Sequence, residues 1–134
     1  MMEAQSHTPP PKTILVVEDE VVVRMDMAEF LRQSGYRVQE ATNAAEAVKI
    51  LDSKLTIDLV VSDIRMPGEM DGRGLAKWVQ NSRPDLHVIL TSAYSQSRED
   101  EAMQNVSYLG KPYTGRALLQ RVQKTLNQNR SRPS

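Results

Sequence analysis

Five short apolar runs alternate along the chain with longer stretches in which apolar and polar residues are mixed. The runs are rich in branched side chains, which is typical of strands buried on both faces of a sheet. The predicted strands are Thr13–Val17, Tyr36–Ala41, Leu59–Ser62, His87–Leu90 and Tyr108–Gly110. The stretches between them have helical length, and helices are predicted over 21–34, from 44 to about 54, and over 72–82, 99–103 and 115–127.

This alternation of strand and helix predicts an α/β fold with a five-stranded parallel sheet. Parallel strands need right-handed crossovers, which place helices on both faces of the sheet, so a three-layer sandwich is expected. Gly35 after the first helix and Asn43 before the second are residue types that favour those helix ends. The folded unit is predicted to cover residues 13–127, between a flexible arm (1–12) and a flexible tail (128–134).

The composition narrows the class of protein. The chain has 134 residues, with 17 basic and 17 acidic side chains and no cysteine. A domain of this length can bury a core, and the lack of cysteine excludes disulfides, thiolate metal sites and cysteine nucleophiles. The sequence shows neither a signal peptide nor an apolar run of membrane-spanning length. We therefore expect a cytoplasmic protein with no membrane or nucleic-acid partner.

The balanced total charge hides an asymmetry between two parts of the chain. Residues 1–101 carry 11 basic and 17 acidic side chains, whereas residues 102–134 carry six basic side chains and no acidic one. The basic segment is interpreted either as a solvated helix face or as a docking surface for an acidic partner.

Chemically useful side chains follow four of the five predicted strands. They are Glu18 and Asp19 after the first strand, Asp63 after the third, Thr91 and Ser92 after the fourth, and Lys111 after the fifth. The carboxyl ends of parallel strands meet at one edge of the sheet, where open α/β folds bind their ligands. The sequence therefore predicts a site with three carboxylates, a hydroxyl and an ammonium group.

This combination of groups favours phosphoryl transfer assisted by Mg²⁺. Three carboxylates in one crevice repel each other, and a hard dication with a preference for oxygen ligands relieves that repulsion. Lys111 would supply further positive charge, Thr91 a hydrogen bond to a phosphate oxygen, and one carboxylate the nucleophile. The sequence has no glycine-rich loop of the Walker type, so nucleotide binding is not indicated.

Five segments resemble the receiver domain of bacterial two-component response regulators. They are ILVVEDE (14–20), DLVVSDIRMPG (58–68), MDG (70–72), LTSAY (90–94) and LGKPY (109–113), in the family order and at nearly the family spacing. The resemblance implies a flavodoxin-like (βα)5 fold. It also implies a role for each matching residue. Asp63 would be the phospho-acceptor, with Glu18, Asp19 and the backbone carbonyl of Arg65 as Mg²⁺ ligands beside it. Lys111 would be the partner of the phosphoryl group, Thr91 the switch hydroxyl and Tyr108 the switch aromatic.

The resemblance further implies partners and a switching surface. The phosphodonor would be a phosphohistidine on a sensor histidine kinase or on a histidine phosphotransfer protein. Phosphorylation would draw Thr91 and Lys111 towards the new charge, and Tyr108 would turn into the space that Thr91 vacates. The surface made by the fourth predicted helix, the fifth strand and the last helix would then change its contacts with an unidentified target protein or with a second copy of the chain.

Several hypotheses for the whole protein follow from the sequence. A stand-alone receiver is expected, and a receiver from a hybrid histidine kinase is the alternative, since the proline-rich arm resembles a linker. A small phosphohydrolase with Asp63 as nucleophile and an adaptor that is never phosphorylated are further hypotheses. Against the hydrolase, the chain has no room for a cap domain, and Asp63-Ile64-Arg65 lacks a second acid two residues after the first.

Two segments depart from the family pattern. MPGEMDG has one residue more than the common MP-x-MDG spacing, and Lys111 follows Thr91 by only 20 residues. The fourth helix is therefore expected to be short or partly melted, because poor helix formers surround it. Among the other residues, Arg73, Lys77 and Arg83 are expected to be exposed, and a structural role is expected for His87.

Overall fold

The chain folds as the predicted α/β sandwich. A computed structural model describes residues 10–93 and 103–131. The strands are β1 (Thr13–Val17), β2 (Arg37–Ala41), β3 (Leu59–Asp63), β4 (His87–Ser92) and β5 (Val106–Gly110). The helices in the described ranges are α1 (Val21–Gln33), α2 (Ala44–Leu51), α3 (Gly72–Ser82) and α4 (Gly115–Ser131). Residues 99–102 of the helix predicted at 99–103 and most of the predicted arm lie outside the described residues.

All neighbouring strands of the sheet are parallel, in the order β2-β1-β3-β4-β5. This is the flavodoxin-like order, so the predicted fold class is confirmed. The order changes direction between β1 and β3, because the chain moves first to one side of β1 and then to the other. The carboxyl ends of β1 and β3 therefore border the crevice in which such sheets bind ligands.

Two apolar clusters cover the two faces of the sheet. Side chains of α2 and α3 pack on one face in a cluster that includes Leu75 and Leu90. Side chains of α1 and α4 pack on the other face in a cluster that includes Leu31, Ile89 and Val122. Adjacent residues of a strand contribute to opposite clusters, because successive side chains of a strand point to opposite faces of the sheet. Within the described ranges, no helix is both long enough and apolar enough to cross a membrane.

The end signals read from the sequence operate as predicted at two helix ends, and the structure adds a third. Gly35 has a φ of 103° and follows α1, a left-handed conformation that glycine adopts without a steric penalty. The side chain of Asn43 accepts a hydrogen bond from the Glu46 N–H at the start of α2. Asp71 caps α3 in the same way through the Gly74 N–H.

Four element boundaries differ from the predictions by two residues or more. The β4 strand continues through its polar residues to Ser92, because these residues also pair with neighbouring strands. Pairing with β4 likewise extends β5, which begins at Val106. The α2 helix ends at Leu51, where the Ser53 hydroxyl donates to the Ile50 carbonyl and replaces the next turn. The α4 helix continues to Ser131, so the first four residues of the predicted flexible tail are helical.

Candidate functional site

The three predicted carboxylates come together at the carboxyl ends of β1 and β3. Glu18 and Asp19 follow β1 directly, and Asp63 is the last residue of β3. The two strands are paired, with Val17 beside Ser62, so the residues that follow are close neighbours. One carboxylate oxygen from each of the three residues lies within 4.8 Å of the other two.

Glu18 is the most deeply buried member of this acidic cluster, with only 3% of the residue exposed. Its pKa is raised from 4.5 to about 7, chiefly because burial disfavours the charged carboxylate. The backbone N–H of Glu20, which donates to Glu18 at 3.1 Å, opposes this rise, and the charge of Asp63 adds to it. Negative charge on the acidic cluster is therefore unfavourable without a cation, and a bound cation would stabilise it.

Replacing Glu18 with glutamine is expected to stabilise the metal-free protein at pH 8 by about 2 kcal/mol. A carboxyl group with a raised pKa favours the folded state fully below pH 4.5 and loses that contribution as the pH rises through about 7. The gain should therefore disappear near pH 4.5. Thermal unfolding in EDTA at both pH values measures the difference. The exposed neighbour Glu20, changed to glutamine, is the control, and equal stabilities of E18Q and wild type at pH 8 would contradict the prediction.

Asp63 is held between two donors. The ammonium group of Lys111 lies 3.0 Å from one carboxylate oxygen, and the backbone N–H of Arg65 donates to the other at 3.2 Å. The Asp63 side chain is 13% exposed and that of Lys111 34%. The N–H of Lys111 also donates to the Ser92 carbonyl at 2.7 Å, which fixes the β5–α4 loop beside β4. A partly exposed carboxylate with a cation next to it can act as a nucleophile towards phosphorus.

The residues of the acidic cluster fit a magnesium ion. Mg²⁺ prefers carboxylate oxygens and tolerates water as its remaining ligands. Glu18, Asp19 and Asp63 supply three such groups within mutual reach, and burial and repulsion already disfavour the uncompensated charge. The predicted fourth ligand, the carbonyl of Arg65, belongs to an exposed residue in the loop directly after Asp63.

An arginine of α1 fixes the loop that carries the acidic pair. The Arg24 guanidinium donates to the Glu18 carbonyl at 2.9 Å and pairs with Glu40 of β2 at 3.2 Å. Arg32 pairs with the second oxygen of Glu40, also at 3.2 Å. The N–H of Glu18 donates to the Ala41 carbonyl. Both backbone groups of Glu18 are therefore tied to neighbouring elements.

A cavity of about 170 Å³ opens beside Asp63. It is lined by Asp63, Ile64, Arg65, Arg73, Ser92, Ala93 and Lys111. Lys77 is exposed as predicted, but the prediction that Arg73 and Arg83 are exposed is wrong. Arg73 is half-buried in the cavity wall, and Arg83 is half-buried because it donates to the Leu51 carbonyl at 3.0 Å.

The two hydroxyl residues at the end of β4 occupy different positions. Thr91 pairs with Asp63 in the sheet but is only 1% exposed. Ser92, the next residue, lines the cavity beside Asp63. The sequence places both residues at this strand end, and the resemblance implies Thr91 as the switch hydroxyl. Because paired residues share a face of the sheet, Thr91 lies on the face of Asp63, whereas Ser92 belongs to the opposite face, which carries Leu90 and Tyr108.

The register also bears on the predicted movement of Tyr108. Tyr108 pairs with Leu90 and packs on the α2–α3 face, and its hydroxyl oxygen is buried. Thr91 pairs with Leu109, which packs on the α1–α4 face. Paired residues of neighbouring strands share a face, so Tyr108 and Thr91 belong to opposite faces. The exchange of space between Thr91 and Tyr108 stays a prediction, and Ser92, one residue after Thr91, alternates onto the Tyr108 face.

Two further residues near the site were missed by the sequence analysis. Arg73 reaches the cavity because it is the second residue of α3, directly after the MDG segment. Burial, followed by the charges of Glu18 and Asp63, raises the pKa of Tyr113 to about 12, so its phenol stays protonated near the acidic cluster. The signal available in the sequence was the position of each residue in or beside a matching segment: Arg73 directly follows MDG (70–72), and Tyr113 ends LGKPY (109–113).

A sheet with this strand order, an acidic cluster at its carboxyl edge and a lysine paired with Asp63 is typical of one class of protein, the signalling domains that accept a phosphoryl group. The chain matches the model of the response regulator receiver domain over residues 14–123. It therefore belongs to the receiver family of response regulators, whose members accept phosphoryl groups in phosphorelays.

Two curated relatives and one solved structure illustrate the relationship. The chain is 36% identical over 118 residues to the sensor kinase CckA of Brucella abortus, a match that covers 85% of this chain and 12% of that protein. It is 39% identical over 111 residues to the transcriptional regulatory protein PdtaR of Mycobacterium tuberculosis, covering 78% and 51%. The response regulator TrrA of Thermotoga maritima, solved in complex with Mg(2+)-BeF, has a TM-score of 0.76 and 34% identity, covering 85% and 98%. The matched region thus spans about half of one curated relative and a small part of the other.

Proposed function

We propose that the protein accepts a phosphoryl group on Asp63 in a reaction that depends on Mg²⁺. The observation that carries this proposal is the position of Asp63, 3.0 Å from the Lys111 ammonium on one side and within 4.8 Å of the Glu18 and Asp19 carboxylates on the other. Family membership supports phosphoryl acceptance in general. The fit of the acidic cluster to Mg²⁺, and the complex formed by the related TrrA, support the metal dependence.

Each residue has a role in the transfer. An oxygen of Asp63 attacks the phosphorus atom of a phosphohistidine, the P–N bond breaks, and its electron pair returns to the imidazole nitrogen. Lys111 stabilises the charge that develops on the phosphoryl oxygens. Glu18, Asp19, Asp63 and the carbonyl of Arg65 would hold the Mg²⁺ ion, which supplies charge neutralisation at the phosphoryl group. Attack by water on the acyl phosphate later releases phosphate and restores the carboxylate.

The proposed phosphodonor is a sensor histidine kinase or a histidine phosphotransfer protein. A phosphohistidine can reach Asp63 only if its protein docks next to the acidic cluster. The first turns of α1, which begin three residues after Glu18, expose Val21, Val22 and Met25 by 56%, 70% and 56%. Exposed apolar side chains at this position suit a protein partner. The proposal concerns residues 13–127 and holds equally for a stand-alone regulator and for a receiver within a hybrid kinase.

Labelling with a small phosphodonor tests the proposed reaction. The protein is incubated with Mg²⁺ and acetyl phosphate, and the phosphorylated residue is located by peptide mass mapping under mild conditions. The expected result is one phosphoryl group per chain, on Asp63, with no label in EDTA. Continuous turnover of unrelated phosphate esters would instead support the phosphohydrolase hypothesis. No label from acetyl phosphate, phosphoramidate or a phosphorylated kinase domain would support the adaptor hypothesis.

We propose that Thr91 is the hydroxyl that turns towards the phosphoryl group. Thr91 pairs with Asp63 in the sheet and so shares its face, and a hydroxyl there can donate to a phosphoryl oxygen. Replacing Thr91 with valine, which removes the hydroxyl at similar volume, is expected to lower the rate of phosphorylation about 10- to 100-fold, the loss of one hydrogen bond to a charged group. Replacing Ser92 with alanine removes the hydroxyl on the opposite face and should have little effect. The opposite ranking in a timed acetyl phosphate assay would assign the role to Ser92.

The proposed output is a rearrangement around Tyr108. Movement of Thr91 towards a phosphoryl group would shift the end of β4, which pairs with β5 through Leu90 and Tyr108, and so would change the space available to the Tyr108 ring in the α2–α3 cluster. The surface around β5 and α4 would then alter its contacts with a target protein or with a second copy of the chain. The Arg121 guanidinium, which donates to the Tyr108 carbonyl, connects the two elements at this point.

A further inference from the structure

Three cationic side chains line the cavity beside Asp63. Lys111 is already paired with the Asp63 carboxylate, and Arg65 is exposed to solvent. Arg73 is half-buried, as Lys111 is, and its Nε atom is fully shielded from water. A charge that is partly removed from water acts more strongly on a neighbouring anion than an exposed one. Arg73 is therefore the cavity cation whose function the acceptor mechanism does not yet explain.

The backbone that carries Arg73 is firmly fixed relative to Asp63. The N–H of Gly72 donates to the Ile64 carbonyl at 2.8 Å, and Ile64 follows Asp63 directly. Asp71 caps α3 by accepting from the Gly74 N–H at 2.9 Å. The Gly72 bond thus ties the start of α3 to the end of β3, and the Asp71 cap fixes the first turn of α3 around Arg73. A side chain that begins from such an anchor is positioned with the acceptor rather than independently of it.

Asp63 belongs both to the acidic cluster and to the wall of the cavity. The acidic cluster is suited to a metal ion, whereas the cavity is lined by three cationic residues and by neither Glu18 nor Asp19. A phosphoryl group carries about 1.5 to 2 negative charges near neutral pH. A single lysine, which also faces the Asp63 carboxylate, leaves part of that charge uncompensated on the cavity side. A guanidinium offers a planar set of donors that matches phosphate oxygens.

We propose that Arg73 is a further catalytic residue, which binds the non-bridging oxygens of the incoming phosphoryl group from the cavity side. This inference rests on the proposed function of Asp63. With acetyl phosphate, an Asp63 oxygen forms a bond to phosphorus, the bond from phosphorus to the acetyl oxygen breaks, and acetate leaves with that electron pair. Arg73 contributes binding of the transferred group in this step and exchanges no proton. Its contribution is therefore tied to the phosphoryl group and not to the leaving group.

The test compares the rate of Asp63 phosphorylation in wild type and in Arg73→Ala at saturating Mg²⁺, over a range of acetyl phosphate concentrations. Loss of one charge-assisted contact predicts a second-order rate constant at least about tenfold lower. Phosphoramidate, which has a different leaving group, should lose the same factor. Arg73→Lys keeps the charge without the planar fork and should recover part of the rate. Lys77→Ala, one turn further along α3 and exposed, is the matched control.

Two additional measurements separate this role from a structural one. Mg²⁺ affinity and thermal unfolding should change little in Arg73→Ala, since Glu18 and Asp19 do not line the cavity that Arg73 lines. Wild-type rates with both phosphodonors in folded Arg73→Ala would overturn the inference while leaving the function of Asp63 intact. An equal loss of rate in Arg73→Ala and Lys77→Ala would also overturn it. Absence of label in the wild-type protein would instead overturn the function proposed for Asp63.

Discussion

Replacing Asp63 with asparagine is expected to abolish phosphorylation by acetyl phosphate in the presence of Mg²⁺. The amide is close to the carboxylate in size but lacks the negative charge and the nucleophilic oxygen that the transfer requires. Neither Glu18, which is 3% exposed, nor the remaining residues of the acidic cluster have Lys111 at 3.0 Å, as Asp63 has. The measurement is the labelled fraction of intact protein after incubation to completion.

The fold of Asp63→Asn should remain intact, because two opposing electrostatic effects nearly cancel. The variant loses the ion pair with Lys111, which is partly exposed and so worth about 1 kcal/mol or less. It also removes one negative charge that raises the pKa of Glu18, and this relieves part of the repulsion in the acidic cluster. Thermal unfolding should therefore differ from wild type by only a few degrees. Asp85→Asn, an exposed substitution in the loop before β4, should label fully. Stoichiometric label on Asp63→Asn would identify a different acceptor.

The fold could be predicted from the sequence because its strands are buried on both faces. Runs such as Thr13–Val17 and Leu59–Val61 show this burial directly, and the glycine and asparagine at helix ends mark the intervening segments. Parallel strands joined by helices allow few topologies, so the position of the site at the carboxyl ends also followed. The ends of β4 and β5 were less predictable, because pairing with a neighbouring strand extends both elements beyond their apolar residues.

The same difference between local pattern and pairing explains what was missed at the site. Glu18, Asp19, Asp63 and Lys111 each follow an apolar run directly, and the structure brings all four together. The faces on which Thr91 and Ser92 lie depend on the register of β4, which is set by its pairing with β3 and β5 rather than by hydrophobicity. The location of Arg73 depends on the angle at which α3 leaves the β3–α3 loop. No periodicity in the sequence encodes that angle.

Gly72 controls the angle at which α3 leaves the loop. Among the described glycines with a negative φ, we expect Gly72 to be the one whose replacement by alanine lowers the stability most. A Cβ atom at Gly72 would overlap the Asp63 carbonyl oxygen and lie 2.7 Å from the Ile64 Cα. Both contacts are with backbone, which cannot rotate away as a side chain can. The Gly72 N–H simultaneously donates to the Ile64 carbonyl, so the helix start cannot withdraw without breaking this bond. We expect a loss of about 2–4 kcal/mol of unfolding free energy and a fall in Tm of about 10 °C.

The effect of Gly72→Ala on function should exceed its effect on stability, because the displaced atoms belong to the acceptor itself. Any movement that accommodates the methyl group shifts the backbone of Asp63 relative to Lys111 and to the carboxylates after β1. A displacement of about 1 Å is enough to slow a positioned reaction about 100-fold. Phosphorylation at a temperature where the variant is still folded measures this loss. Gly110→Ala is the matched control, since a Cβ atom there meets nothing within 4 Å. If Gly72→Ala labelled as fast as Gly110→Ala, the close approach at Gly72 would serve the packing of α3 alone, and the geometry of Asp63 would not depend on it.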